Sequence, residues 1–114
     1  MKLKLEIMIN AAQETVWDAF NSVSDDGKWV VTEKRRPAFI AGNYITDGSN
    51  AIVVNHFEKV APQETKWLVF AHYRFTGAMK FFSFFGAGKI RDRTMANMER
   101  FKLFVETQVA NDQP

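Results

Sequence analysis

Two histidines, two tyrosines and no cysteine set what chemistry this chain can do. His56 and His72 lie in two alternating apolar runs separated by a turn at Pro62. Pairing across that turn brings together residues whose numbers sum to about 124. His72 then faces Ile52 and His56 faces Leu68, four positions apart along the ladder. At ~3.4 Å per residue the imidazoles stand on the order of 13 Å apart, too far to share an ion. Without cysteine there is no thiolate ligand, disulfide or thiol nucleophile. Ser22, Ser24, Ser49 and Ser83 lack a nucleophile elbow or a serine–histidine spacing. Asp25, Asp26 and Glu33 are acids of the kind that loops leave solvated. The residues therefore predict no catalytic group, no metal and no cofactor. Tyr44, Tyr73 and Asn55 remain as polar groups able to orient a bound molecule.

The elements that must position them follow from periodicity. Residues 2–9 alternate, with Leu3, Leu5, Ile7 and Ile9 on one face, as a half-buried strand does. Asn10 and Gln13 have the spacing of a capping box, opening a helix that runs to about Asn21. Its apolar stripe is Val16, Phe20 and Val23, with Trp17 beside it, and Asp25-Asp26-Gly27 breaks the chain. Strands are expected at 29–33, 39–46, 51–60 and 66–75, with turns at 47–50 and 61–65. The segment Met79-Lys-Phe-Phe-Ser-Phe-Phe fits either a short helix or an apolar loop. A final helix is expected over about 89–109. Met95, Met98, Phe101, Phe104 and Val105 form its apolar stripe, and Arg93, Glu99, Lys102 and Glu106 its wet face.

Parity sorts the strand pair into two faces. Trp67, Val69, Ala71, Tyr73 and Phe75 share one face with Ala51, Val53, Asn55 and Phe57. The other carries Ile52, Val54, His56, Leu68, Phe70, His72 and Arg74. Both faces are apolar at their centres. A contiguous exposed apolar strip usually marks an interface.

The first strand, then Ala12-x-x-Thr-Val-Trp17-Asp-Ala-Phe20, resembles the opening of the START-like, or helix-grip, superfamily (SRPBCC, polyketide cyclase-like). The block Pro37…Gly42-x-Tyr44…Gly48…Asn55-x-Phe57…Trp67…Tyr73-x-Phe75-x-Gly77, followed by Met98-Glu-x-Phe101…Glu106, is similar to its last strands and grip helix. The family usually has roughly 30 more residues between the first helix and Pro37, the length of a short helix and two strands. The resemblance thus implies a shortened form: α+β, a curved antiparallel sheet of about five strands gripping a long C-terminal helix. It makes the odd-numbered face of residues 67–75 concave and the opposite, convex face normally polar. Residues 81–85 would border the cavity mouth, as a gate, a partner surface or a plug.

Composition narrows the partners. At 114 residues, with 46% apolar and 25% charged, the chain has the size and make-up of one globular domain spanning 1–114. Its net charge of +2 is spread out, and the one basic run, Lys34-Arg35-Arg36, reads as a solvated turn, so nucleic acid is not expected. No run is long and apolar enough to span a membrane, the N-terminus is too polar for a signal peptide, and missing disulfides fit a cytoplasmic setting. The expected function is a non-catalytic module for a hydrophobic small molecule or a protein partner, with Asn55, Phe57, Trp67, Tyr73, Met98 and Phe101 as ligand-binding residues. A polyketide cyclase-like enzyme and a purely structural homo-oligomeric domain are the rival readings. A homodimer is expected, formed through the convex strip or through the open edge left by the missing strands.

Overall fold

Alternation becomes pleated sheet from the first strand onward. A computed structural model describes residues 1–23, 28–46, 49–75 and 87–112. Its elements are β1 (Lys2–Ile9), α1 (Gln13–Ser22), β2 (Trp29–Arg35), β3 (Phe39–Thr46), β4 (Ser49–Ala61), β5 (Glu64–Phe75) and α2 (Ala87–Asp112). All strands pair antiparallel in the order β1-β5-β4-β3-β2, which puts β4 in the middle. The register across Pro62 is the expected one, with Ile52 opposite His72 and Leu68 opposite His56. Both described helices pack on one face of this sheet, where Leu5, Ile9, Val16, Ile40, Phe57, Val69, Met98 and Val105 form the core. The architecture is the expected α+β grip.

Four local expectations are corrected. Gln13 does not close a capping box: its Nε2 donates to the Phe57 carbonyl at 2.7 Å, and Ala12 occupies the N-cap. The Asn10 N–H is taken by Glu106 on α2 at 2.7 Å, so tertiary partners displace the local ones. Val23 leaves the α1 stripe because the helix ends at Ser22 and the next residue is extended. Lys34 and Arg35 lie on β2 rather than in a turn, and Arg36 pairs with Glu14 and Asp18 of α1.

The fourth correction concerns the C-terminal helix. At about 100° per residue Lys102 lies about 40° from Met98 around the helix, whereas Phe104 lies about 120° away. Phe104 is accordingly 45% exposed, while Met98 and Val105 are sealed in the core. Lys102 and Glu106 are half-buried at the helix flank, joined at 2.6 Å. The segments 24–27 and 76–86, with Asp25-Asp26 and the phenylalanine run 81–85, lie outside the described residues.

Gly42 marks the tightest approach in the sheet. The β2–β3 register shifts between Val31 and Glu33, and Trp29 swings in over Gly42 from the inner side. A Cβ at Gly42 would collide with the Val30 carbonyl oxygen and lie 2.9 Å from the Trp29 ring. Gly42→Ala should therefore lower the melting temperature by more than about 4 °C, as overpacking of roughly 1 kcal/mol or more does in a domain this size. Thermal denaturation checks it.

Glu106 ties the N-terminal strand to α2. Burial works against its charge, but the Asn10 N–H and the Lys102 ammonium outweigh it and hold its carboxyl below the ordinary value. The stability this contributes is present above the unfolded carboxyl pKa, about 4.3, and is lost as pH falls through the lower folded value. Glu106→Gln should therefore melt below the wild type at pH 7, with the gap closing in melts recorded below about pH 4.

Candidate functional site

The inner face is built around interlocked rings. Phe57 on β4 and Trp67 on β5 face each other across the register and stack at 6.0 Å. From α1, Phe20 meets Phe57 at 5.3 Å and Phe101 at 5.9 Å, and Phe101 of α2 closes on Trp67 at 5.1 Å. Edge-on and offset contacts of this kind stabilise beyond the area they bury. Among them the Trp67 indole donates to Asn55 Oδ1 at 3.0 Å, and Asn55 Nδ2 donates to the Ile40 carbonyl at 3.3 Å. Asn55 is thus satisfied within the fold. No buried side-chain nitrogen or oxygen among the described residues lacks a partner.

Five of the six proposed ligand residues, Asn55, Phe57, Trp67, Met98 and Phe101, are gathered in this layer. Tyr73 stands apart, half-buried and stacked on Phe75 at 6.1 Å. It belongs to an inner row in which Trp29, Tyr44, Ala51 and Tyr73 are successive register partners. Phe20 and Trp17 were harder to foresee as wall residues, because they reach the layer from α1. The signal was the odd spacing of two aromatics three apart in a short helix.

Among the described residues, no helix lies on the outer face of the sheet. Ile52 is 52% exposed and Phe70 39%, while Leu68 is enclosed between its neighbours. A shallow depression of about 420 Å³ lies over Lys4, Ile52, Val54, Phe70 and His72. The His56 ring stands edge-on to Phe39 at 5.2 Å and to Phe70 at 5.8 Å, so it packs as an aromatic. Lys4 lies 5.5 Å over Phe70 and Arg35 5.3 Å over Phe39, framing the strip from its two sides. The sequence reading took Arg35 as part of a solvated turn and did not single out Phe39 or Lys4 as bordering this strip. Tracing the β3–β4 register finds Phe39, whereas Lys4 and Arg35 follow from the β1–β5 and β2–β3 pairings.

Asn55→Leu should strand the buried indole N–H of Trp67 and cost about 1–3 kcal/mol. Removing both partners, as Asn55→Leu with Trp67→Phe, should cost less than the sum of the two single changes. A double-mutant cycle in urea measures this coupling.

No family model matches the sequence, and no curated protein matches it significantly. Solved structures do match. A conserved protein from Geobacillus kaustophilus superposes with a TM-score of 0.68 at 13% identity, over 97% of this chain and 96% of that one. A START superfamily protein from Mycobacterium smegmatis gives 0.65 at 9% identity, over 98% and 99%. Norcoclaurine synthase from Thalictrum flavum, solved with dopamine and hydroxybenzaldehyde, gives 0.62 at 9% identity, over 100% and 88%. At such identities the likeness is one of fold. The chain has the START-like helix-grip fold in a five-stranded form.

Proposed function

We propose that this chain is a non-catalytic binding module whose working surface is the outer face of its sheet, taking an apolar surface of a protein. The observation that carries this reading is the exposed strip of Ile52 and Phe70 on a sheet face that neither described helix covers. The inner layer argues the same way. A ligand among Phe57, Trp67 and Phe101 would have to displace rings already in contact, and the polar groups there already bond one another. Catalysis finds no support among the described side chains, whose acids and histidines do not converge on a common point.

A second reading rests on the row Trp29, Tyr44 and Tyr73. These aromatics flank the small buried Ala51 on the inner side, where a flat apolar molecule could lie against Tyr73 with its hydroxyl as a directing group. In that case Asn55, Phe57, Trp67, Met98 and Phe101 form the floor of the site and Tyr73 its rim.

Native mass spectrometry of freshly purified protein separates the two. The first reading predicts chains free of any retained apolar small molecule. One such molecule per chain, lost in Tyr73→Ser, would establish the second reading in its place.

A further inference from the structure

We propose that the partner seated on the outer face is a second copy of this chain, related by a two-fold axis running along β4. This rests on the outer face being the binding surface, and it adds the identity and orientation of the partner.

The register sets the outer face out in rows. One row reads Glu6, Leu68, His56, Phe39 and Arg35 across strands β1, β5, β4, β3 and β2. The next reads Lys4, Phe70, Val54, Ala41 and Glu33. Each row has an apolar middle, and in each the two ends carry opposite charge. The order of sign also reverses from one row to the next: acid on β1 and base on β2, then base on β1 and acid on β2. All four end residues are exposed.

Such a pattern is self-complementary about an axis along the strands. A two-fold along the central strand turns β1 of one copy over β2 of the other, row on row. Lys4 then faces the partner's Glu33, and Glu6 faces the partner's Arg35. Within the rows, the large Phe70 meets the partner's small Ala41, while Val54 lies at the axis against its own copy. A two-fold across the strands through the Lys4 row instead sets Lys4 on Lys4, Glu33 on Glu33 and Phe70 on Phe70, and one midway between the rows opposes Lys4 to the partner's Glu6 but sets the large Phe70 on the partner's Leu68. Packed sheets hold their strands within about 30° of parallel, so the row match survives near the axis. Within one copy Arg35 already touches Glu33, so both side chains are held at the same edge, ready to meet the opposite pair.

The area is sufficient. Five strands ~4.8 Å apart, with about four outward residues each at ~6.8 Å spacing, cover roughly 650 Å² a side, within the range of a standard specific interface of ~800 Å² a side. The patch is also isologous, as closed two-fold dimers require.

Sedimentation velocity on Lys4→Glu, Glu33→Lys and their equimolar mixture tests the proposal. The wild type should run as two chains at tens of micromolar. Each single change sets like charges together twice per dimer and should weaken association by ~100-fold. Mixing the two variants restores both opposite-charge contacts, so a two-chain species should return, as it should in the chain carrying both changes. Exposed strand-edge charges leave the core untouched, and circular dichroism of each variant verifies that it is folded. A wild type that stays a single chain at high micromolar concentration overturns the second copy. A dimer that Phe70→Glu breaks, but that mixing does not restore, overturns the axis and leaves the outer face standing. A dimer indifferent to Phe70→Glu overturns the outer face as well.

Discussion

A strand shows alternate side chains to opposite sides, so a five-stranded sheet has two faces to cover, and the described part of this chain covers one. Both described helices are committed to the inner side. There α2 seals Met98 and Val105 against the sheet, and α1 adds Val16, Trp17 and Phe20. The outer side has Lys4, Glu6, Glu33 and Arg35 at its margins and Phe70, Val54, Ile52 and His56 at its middle. Everything inferred about function follows from that imbalance. Burial is worth roughly 25 cal/mol per Å² of apolar surface, which makes a bare strip of this kind a standing driving force for association.

Much of this was legible before any coordinates. Period-two alternation in residues 2–9, 51–60 and 66–75 located the strands to within a few residues, and the Pro62 turn fixed their register without ambiguity. What misled was local reasoning about ends and flanks. Asn10 and Gln13 have the right spacing for a capping box, yet each finds a partner far along the chain, Glu106 and the Phe57 carbonyl. A pattern rule sees neighbours in sequence and not competitors in space. Phe104 was assigned to the core by its side-chain type, although its angle around the helix sends it outward and brings Lys102 in.

The candidate site was legible in a different way. Parity alone grouped Asn55, Phe57, Trp67 and Tyr73 on the inner face, and the sheet keeps them there. Whether rings on one face leave a space or fill it depends on what the helices bring. That was hidden, because Phe20 and Phe101 enter from elements whose distance from the sheet no periodicity reports. The polar residue that invited a ligand, Asn55, is held by the Trp67 indole and so orients the core. The alternating charges at the ends of the outer rows were equally invisible until the register joined five separate strands into one surface.

The central claim, that this chain meets others through its outer sheet face while its interior stays closed, is tested most directly by methyl NMR. Ile52 and Val54 report the outer face, Ile40 and Val69 the inner one. Over a dilution series the account predicts that Ile52 and Val54 signals move with protein concentration, while Ile40 and Val69 hold still and remain so when a long-chain fatty acid is added. Outer methyls indifferent to concentration, with Ile40 and Val69 shifting on addition of the fatty acid, would contradict it.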